Sequence, residues 1–475
     1  MKRRDFFRNT AIGTLGTALA GPLSAIGQPA KQRGNGNLDA YGDSTGHARN
    51  IIFMVSDGMS NGTLTMASLL RQRKEGRQSH WLQLYESGKA ARALMSTASA
   101  SSLITDSAAG SSAWGGGVRV PNGSLNVGAD GTHYTPILQK FRKAGKATGC
   151  VTTVPITHAT PAGFCINNSH RGDMAEIAQQ YLPLRFDVML GGGREHFLPG
   201  TRKDKQDLLQ QYKTNGYTVA ENRDSLLQLP AFPAAPVIGA FCENGLPYAL
   251  DREQDATLRQ QLPTLAEMTA QAIRRLALHP KGFMLQVEGG KVDWAAHAND
   301  AAALLYDQLA FDDAIKVALD FAEADKNTLV IITTDHGNAN PGLYYSDKAN
   351  DRFDTLQHVR HTNDWILNGI QRDTSPAALI ARIEYAQGIV ITPAQASSLL
   401  AHYTRLDGDG LYNPRKLPFK ELAAIQSAHT AIGWGGMDHT ADYVELAMTG
   451  PGSAQLPSFI KNADLHRFML QTANL

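Results

Sequence analysis

Cysteine is scarce: the 475-residue chain carries three, Cys150, Cys165 and Cys242. Three cannot build a disulfide framework for a chain this long, and their spacing matches no zinc-binding cysteine pattern. They leave room for one bridge and read best as buried thiols. An excess of charge of either sign is also missing, with 45 Lys+Arg against 44 Asp+Glu and a net charge of +1. That balance carries no nucleic-acid-binding signature and no attraction to an anionic membrane surface. No repeat of fixed period is present. Beyond the first residues, no apolar run reaches the length of a membrane span. With 43% hydrophobic and 19% charged residues, the chain can build a large ordinary core.

The first 27 residues read as an address rather than as structure. A basic start runs into a modestly apolar stretch from Ala11 to Ile26, with Ala18-Leu19-Ala20 as one cleavage point. Within "KRRDFFR", Arg3 and Arg4 followed by Phe6 and Phe7 resemble a bacterial twin-arginine export signal. The expectation is a periplasmic or secreted protein with the segment removed and no membrane span left. Residues 28–49, polar and Gly-rich, read as a linker.

From Asn50 onward the pattern alternates strand and helix. Six apolar runs stand out: Asn50–Gly58, Lys146–Pro161, Phe186–Gly193, Gly282–Gly290, Asn327–Asn338 and Asp442–Gly452. Near-continuous apolar runs of this length suit strands buried on both faces, as in a mostly parallel sheet. A helical stripe of Leu304, Phe311, Ile315, Ala318 and Ala322, capped by Asn299 or Asp300, lies between the fourth and fifth. The expected fold is α/β, a three-layer sandwich around a mostly parallel sheet.

Acids and imidazoles follow these runs. The first ends in Asp57, the second leads into His158 and Thr160, the fourth ends in Glu288, and the fifth in Asp335 and His336. Ligands of open α/β sheets bind beyond the carboxyl ends of the strands, so four strands deliver such groups to one edge. Carboxylate and imidazole together suit divalent metals such as zinc and magnesium. In "EGGKVDWAAH", Asp293 and His297 stand one helical turn apart and can face one ion. His439 arrives just before the sixth run, whereas His80, His133, His196 and His279 have no such context. One further stretch, "LITDSAAGSSAWGGGVR", places Ser107 at the mouth of a small-residue helix, where helix N–H groups can hold an anion.

Six stretches in order, "DGMS", "TDSAAGSSA", "VTTVPITHATPAGF", "VEGGKVDWAAHAND", "TTDHGN" and "HTADYVELAMTGPG", resemble the alkaline phosphatase family from about Asn50 to Pro451. The resemblance implies a metal-dependent phosphatase releasing phosphate from small monoesters of broad range through a phosphoserine intermediate. It implies Ser107 as nucleophile and Arg171 as the phosphate clamp; Asp106, immediately before Ser107, is expected to orient Arg171 through a charge-assisted bidentate bond. It implies two Zn²⁺, one held by Asp293, His297 and His439 and the other by Asp57, Asp335, His336 and Ser107. A Mg²⁺ site would take Asp57, Thr160 and Glu288. A homodimer is compatible with the resemblance.

The chain is similar to the members with histidine at the position of His158 and tryptophan at that of Trp294, where others carry aspartate and lysine. His158 then brings a nitrogen ligand or an outer base to the third site, where zinc or cobalt can compete with magnesium. Trp294 lies among the phosphate-orienting positions but cannot reach phosphate as lysine would, so weaker product binding and faster turnover are expected. The same frame can serve phosphodiesters or sulfate esters. Arg171 favours a dianionic phosphoryl group, and "TDSAAGS" lacks a sulfatase context. Residues 343–436 carry no motif and read as an inserted subdomain of helices interrupted by proline, a lid or an oligomer contact. Within it, Leu406–Asn413 reads as a turn with a partial calcium-loop look, and His358 and His361 as a pair on one helix face without a ligand role.

Overall fold

In the computed structural model the described residues are 46–230, 235–405 and 417–475. The export segment, residues 28–45 of the linker and the Leu406–Asn413 turn lie outside them. The end of the linker is docked: Ala48 N donates to Thr472 O at 2.8 Å and Arg49 N to Asn327 O at 2.9 Å.

The strands are β1 Asn50–Val55, β2 Ala91–Ser96, β3 Ala147–Pro155, β4 Val188–Gly192, β5 Thr218–Val219, β6 Val237–Ala240 and β7 Phe283–Glu288. They continue with β8 Thr328–Thr333, β9 Gly337–Asn338, β10 Gly342–Leu343, β11 Ile432–Gly433, β12 His439–Thr440, β13 Val444–Thr449 and β14 Phe459–Lys461. Ten form one sheet in the order β14-β2-β13-β8-β1-β7-β3-β4-β6-β5. Its pairs are parallel except where β13 lies antiparallel to β8 and β2. All six expected strands are in this sheet, and β2, β5, β6 and β14 join them.

β1 shows why the sheet sits between two layers. Ile51, Phe53 and Val55 enter the core on one face, Ile52 and Met54 the core on the other, and all five are fully buried. Successive strand side chains point to opposite faces, so a run apolar at every position needs cover on both. At about 2 kcal/mol per side chain, β1 alone contributes on the order of 10 kcal/mol of burial. The long helix Ala301–Asp325 covers one face and is capped by Asp300, whose carboxylate accepts from Ala303 N at 3.0 Å. Cys150 and Cys165 are buried thiols with sulfurs 3.6 Å apart.

Residues 343–436 hold helices Ala349–Asp354, Asn363–Asn368, Pro376–Gln387, Pro393–Ala401 and Phe419–Thr430. The prolines open helices instead of interrupting them: Pro376 and Pro393 occupy first turns capped by Ser375 and Thr392, where a missing N–H costs nothing. The segment has a core of its own, including Ile366, Leu379, Ile383, Leu399 and Leu422. Antiparallel pairing of β10 with β11 ties its two ends together. His358 and His361 do not share a helix face. His358 ends a 3₁₀ turn, while His361 lies beyond it, bonded to Asp251 at 3.0 Å and stacked on Trp365.

Candidate active site

The parallel register brings the acids together. Val55 lies level with both Thr333 and Glu288, and Glu288 with Thr152. Asp57 and Asp335 each stand two residues past that level, in the turns that leave β1 and β8. Gly58 takes φ +65° there, and its N–H donates to Asp335 Oδ1 at 3.1 Å. Asp57 Oδ1 lies 3.5 Å from His336 Nε2, and Asp335 Oδ2 lies 3.4 Å from the same nitrogen. Ser107 Oγ completes this group, 3.3 Å from His336 Nε2 and 3.5 Å from Asp57 Oδ1. Asp335 Oδ2 is buried with no hydrogen-bond partner among the described residues.

Asp293 and His297 lie on the helix Lys291–His297, one turn apart as expected, with His297 Nε2 3.5 Å from Asp293 Oδ2. His439 Nε2 stands 3.6 Å from Asp293 Oδ1 and 3.0 Å from His297 Nε2. The rings of His336 and His439 stack at 3.7 Å, linking this group to the first. Backbone carbonyls set the tautomers: Nδ1 of His297 faces Met437 O at 2.6 Å and Nδ1 of His439 faces Thr105 O at 2.9 Å. A carbonyl only accepts, so both Nδ1 atoms carry the proton and both Nε2 atoms present lone pairs. Two lone pairs 3.0 Å apart beside a carboxylate fit a cation held among them.

The third group holds Asp57, Glu288 and His158, whose ligand atoms lie within 4.8 Å of one another. Asp57 Oδ2 accepts from Thr160 Oγ1 at 3.2 Å, and Glu288 Oε2 from Thr152 Oγ1 at 2.5 Å. Glu288 Oε1 and His158 Nδ1 are buried without partners among the described residues. His158 thus stands inside the cluster with the two carboxylates, and its other nitrogen lies 3.3 Å from Arg171.

Electrostatics point the same way. Burial, then the charges of Asp335, Asp293 and Glu288, push Asp57 well above the usual carboxylate range. Burial lifts Glu288 to about 8 and Asp335 to about 7. Burial also holds His336 well below its ordinary value and, with Arg171 nearby, lowers His158 to about 3, so both imidazoles stay neutral. Asp293 is the exception: burial raises it, but His297 foremost, with a hydrogen bond from Asn338, brings it below the ordinary value. Crowded, desolvated carboxylates with orphaned oxygens, together with neutral imidazoles, are the donor set of a divalent-metal site.

Ser107 opens the helix Ser107–Gly115, and the small residues there have a packing reason. A Cβ on Gly115 would strike the carbonyl oxygen of Gly163, and one on Gly163 would strike Ser111, so this helix and Ala159–Cys165 touch backbone to backbone. Asp106 is the N-cap, its Oδ1 accepting from Ala109 N at 2.9 Å. Its Oδ2 accepts from Arg171 NH1 at 3.0 Å and from Gly123 N at 2.9 Å. The expected bidentate contact is therefore a single hydrogen bond, because the other oxygen caps the helix. Trp294 meets His158 edge-on at 6.1 Å.

Three participants had no sequence signal that singled them out. Thr152 holds Glu288, Asn338 Nδ2 donates to Asp293 Oδ1 at 2.7 Å, and Lys291 is buried over the rings of Tyr248 and Trp294. Asn338 closes the stretch "TTDHGN", and Thr152 pairs with Glu288 in register; Lys291 offered no clue.

The family profile described as Alkaline phosphatase matches residues 48–475. The chain is similar to alkaline phosphatase 4 of Bacillus subtilis, 30% identical over 98% of this chain and 97% of that protein. It is 30% identical to the alkaline phosphatase of Escherichia coli over 64% of this chain and 73% of that one. Among solved structures, the alkaline phosphatase of Thermus thermophilus superposes with a TM-score of 0.83 at 30% identity, covering 94% of this chain and 95% of that one. The cold-active alkaline phosphatase of a psychrophilic Shewanella shares the fold at a TM-score of 0.74 and 24% identity, covering 89% and 99%. The clustered acids and histidines at the strand ends and a match along nearly the whole folded chain agree: the chain belongs to the alkaline phosphatase family, metal-dependent enzymes that hydrolyse phosphate monoesters.

Proposed function

We propose that the protein hydrolyses phosphate monoesters of broad range through a phosphoserine on Ser107. Asp293, His297 and His439 would hold one zinc ion, and Asp57, Asp335 and His336 a second beside Ser107. Asp57, Thr160 and Glu288 would hold magnesium, with His158 adjoining. When bound, the ions supply Lewis-acid stabilisation of charge on the reacting oxygens.

The chain's own groups account for the rest. Ser107 Oγ attacks phosphorus in line, the bond from phosphorus to the ester oxygen breaks, and the serine proton ends on the departing alcohol. Water then cleaves the phosphoserine, releasing inorganic phosphate and restoring the hydroxyl. N–H groups of the helix that Ser107 opens, together with the Arg171 guanidinium, suit the three equatorial oxygens of the transferred phosphoryl group. Asp106 keeps Arg171 aimed at them. The observation that carries this reading is Ser107 Oγ at a helix mouth, within 3.5 Å of both His336 and Asp57.

The twin-arginine-like start supports export of the protein to the periplasm or the outside of the cell. The direct test is acid trapping after exposure to ³²P-labelled monoester, with p-nitrophenyl monoester and diester turnover measured alongside. Wild type is expected to retain label on Ser107 and to favour the monoester by several orders of magnitude in kcat/KM. Label persisting in Ser107→Ala would remove Ser107 from its role, and a diester preference would move the substrate class.

A further inference from the structure

A cavity of 1910 Å³ opens beside the metal-ligand cluster, between the helix Lys291–His297 and the inserted helices. Trp294, His297 and Lys291 line one wall, and Trp365 and Arg382 of the insertion line another. This is about twice the volume of a pocket that encloses a drug-sized ligand, so it can take far more than a small alcohol.

Lys291 is the unusual group in that wall. It is 93% buried, with 7% relative exposure. Its Nζ sits 3.7 Å from the ring centre of Tyr248 and 4.5 Å from that of Trp294. Among the described residues its Nζ makes no hydrogen bond and no ion pair, and besides the two rings the charges of Asp364, Asp307 and Asp251 act on it. The rings and carboxylates support the charge of the ammonium but leave its three N–H bonds to whatever fills the cavity it lines. Those N–H bonds face a cavity that also presents the half-buried indole of Trp294 and the carboxylate of Asp364, whereas Trp365 is sandwiched between His361 and Arg382 and the Asp251 oxygens are taken by His361 and Thr362. A partly exposed indole, a charged donor and a carboxylate acceptor together recognise a body rich in hydroxyl groups: the Trp294 ring covers a C–H face while Lys291 and Asp364 bind its rim.

The position fits the departing half of the ester. In an in-line transfer the leaving oxygen lies opposite the nucleophile. Ser107 lies against Asp57 and His336, which puts the leaving oxygen toward Asp293, His297 and His439, and His297 borders the cavity. We propose that this cavity is the leaving-group subsite and that Lys291 is its specificity-determining residue, selecting monoesters of polyhydroxylated alcohols. The inference rests on the monoester reaction proposed above.

The test compares kcat/KM, by phosphate release from the metal-loaded full chain, for ethyl phosphate, ribose 5-phosphate and adenosine 5′-monophosphate. Wild type is expected to favour the hydroxylated esters by at least about tenfold. Lys291→Met is expected to erase that preference through a selective loss of roughly ten- to hundredfold, the range of one charge-assisted hydrogen bond. Lys291 opens the helix bearing Asp293 and His297, so only the ratio between substrates decides. Asp364→Asn, which removes the carboxylate acceptor lining the same cavity, is expected to lose the same preference and decides alone if Lys291→Met does not fold. Ribose 5-phosphate preferred equally with the nucleotide identifies the sugar as the recognised part; a preference for the nucleotide alone refutes hydroxyl recognition. A wild type without preference, or variants that slow all three esters in one ratio, overturns the subsite. A wild type inactive on all three overturns the monoester reading instead.

Discussion

Asp106 is a single carboxylate with two separable tasks, and one pair of substitutions tells them apart. Its Oδ1 caps the Ser107 helix through Ala109 N, while its Oδ2 holds Arg171 and Gly123 N. Losing an N-cap costs about 1 kcal/mol. Losing the bond from Gly123 N costs about 1 kcal/mol more. The Arg171 contact is charge-assisted, but side-chain exposures of 29% and 20% leave it partly screened, so about 1 kcal/mol is the fair figure. Asp106→Ala should therefore lose roughly 3 kcal/mol of stability. Asp106→Asn keeps an amide oxygen for the cap and turns its NH₂ toward two donors, losing roughly 2 kcal/mol. Activity should divide differently. Both variants release Arg171, so kcat/KM for a monoester should fall about equally in the two, by roughly ten- to hundredfold. Urea melts with steady-state kinetics on the same preparations measure both quantities. Equal stability of the two variants would refute the cap assignment, and full activity in Asp106→Asn would refute the arginine-orienting role.

Two further outcomes follow, one from a buried carboxyl on the long helix and one from the site. Burial lifts the Asp312 carboxyl to about 6, against hydrogen bonds from His80 and Trp81 and the charge of Arg71. A raised folded pKa means that its stabilising share is full below about pH 4 and is lost as pH rises through about 6. Asp312→Asn should thus gain roughly 2–3 kcal/mol relative to wild type between about pH 4.5 and 7.5. Urea melts at both ends check this, and an unchanged difference would refute it. Trp294→Lys should tighten inhibition by inorganic phosphate by roughly tenfold, since it adds a cation beside His158 and Arg171; an unmoved inhibition constant would refute the idea that Trp294 eases product release.

What the chain discloses as a string depends on whether a role has a local signature. β1, β3, β4, β7, β8 and β13 are legible because a strand covered on both faces must be apolar at nearly every position. β2 escapes the same test: its residues alternate buried and exposed, and Arg92 and Ser96 leave only a short apolar run between them. β6 is four residues long, too short to show a period. The direction of β13 has no signature at all, since both orientations bury the same side chains. At the site, acids and imidazoles are legible because few other residue types can hold a metal, and strand ends are where they converge. Thr152 and Asn338 escape because hydroxyls and amides serve hundreds of ordinary hydrogen bonds, and only the alignment of β3 with β7 and the turn after β8 gives them their partners. Lys291 escapes for a stronger reason. A lysine after two glycines at a helix start reads as solvated, and it becomes a buried cation only because Tyr248, more than forty residues earlier, and Trp294 close over it. Burial of that kind is a property of the assembled wall, so the groups that choose among substrates stay hidden in a sequence that announces its metal ligands.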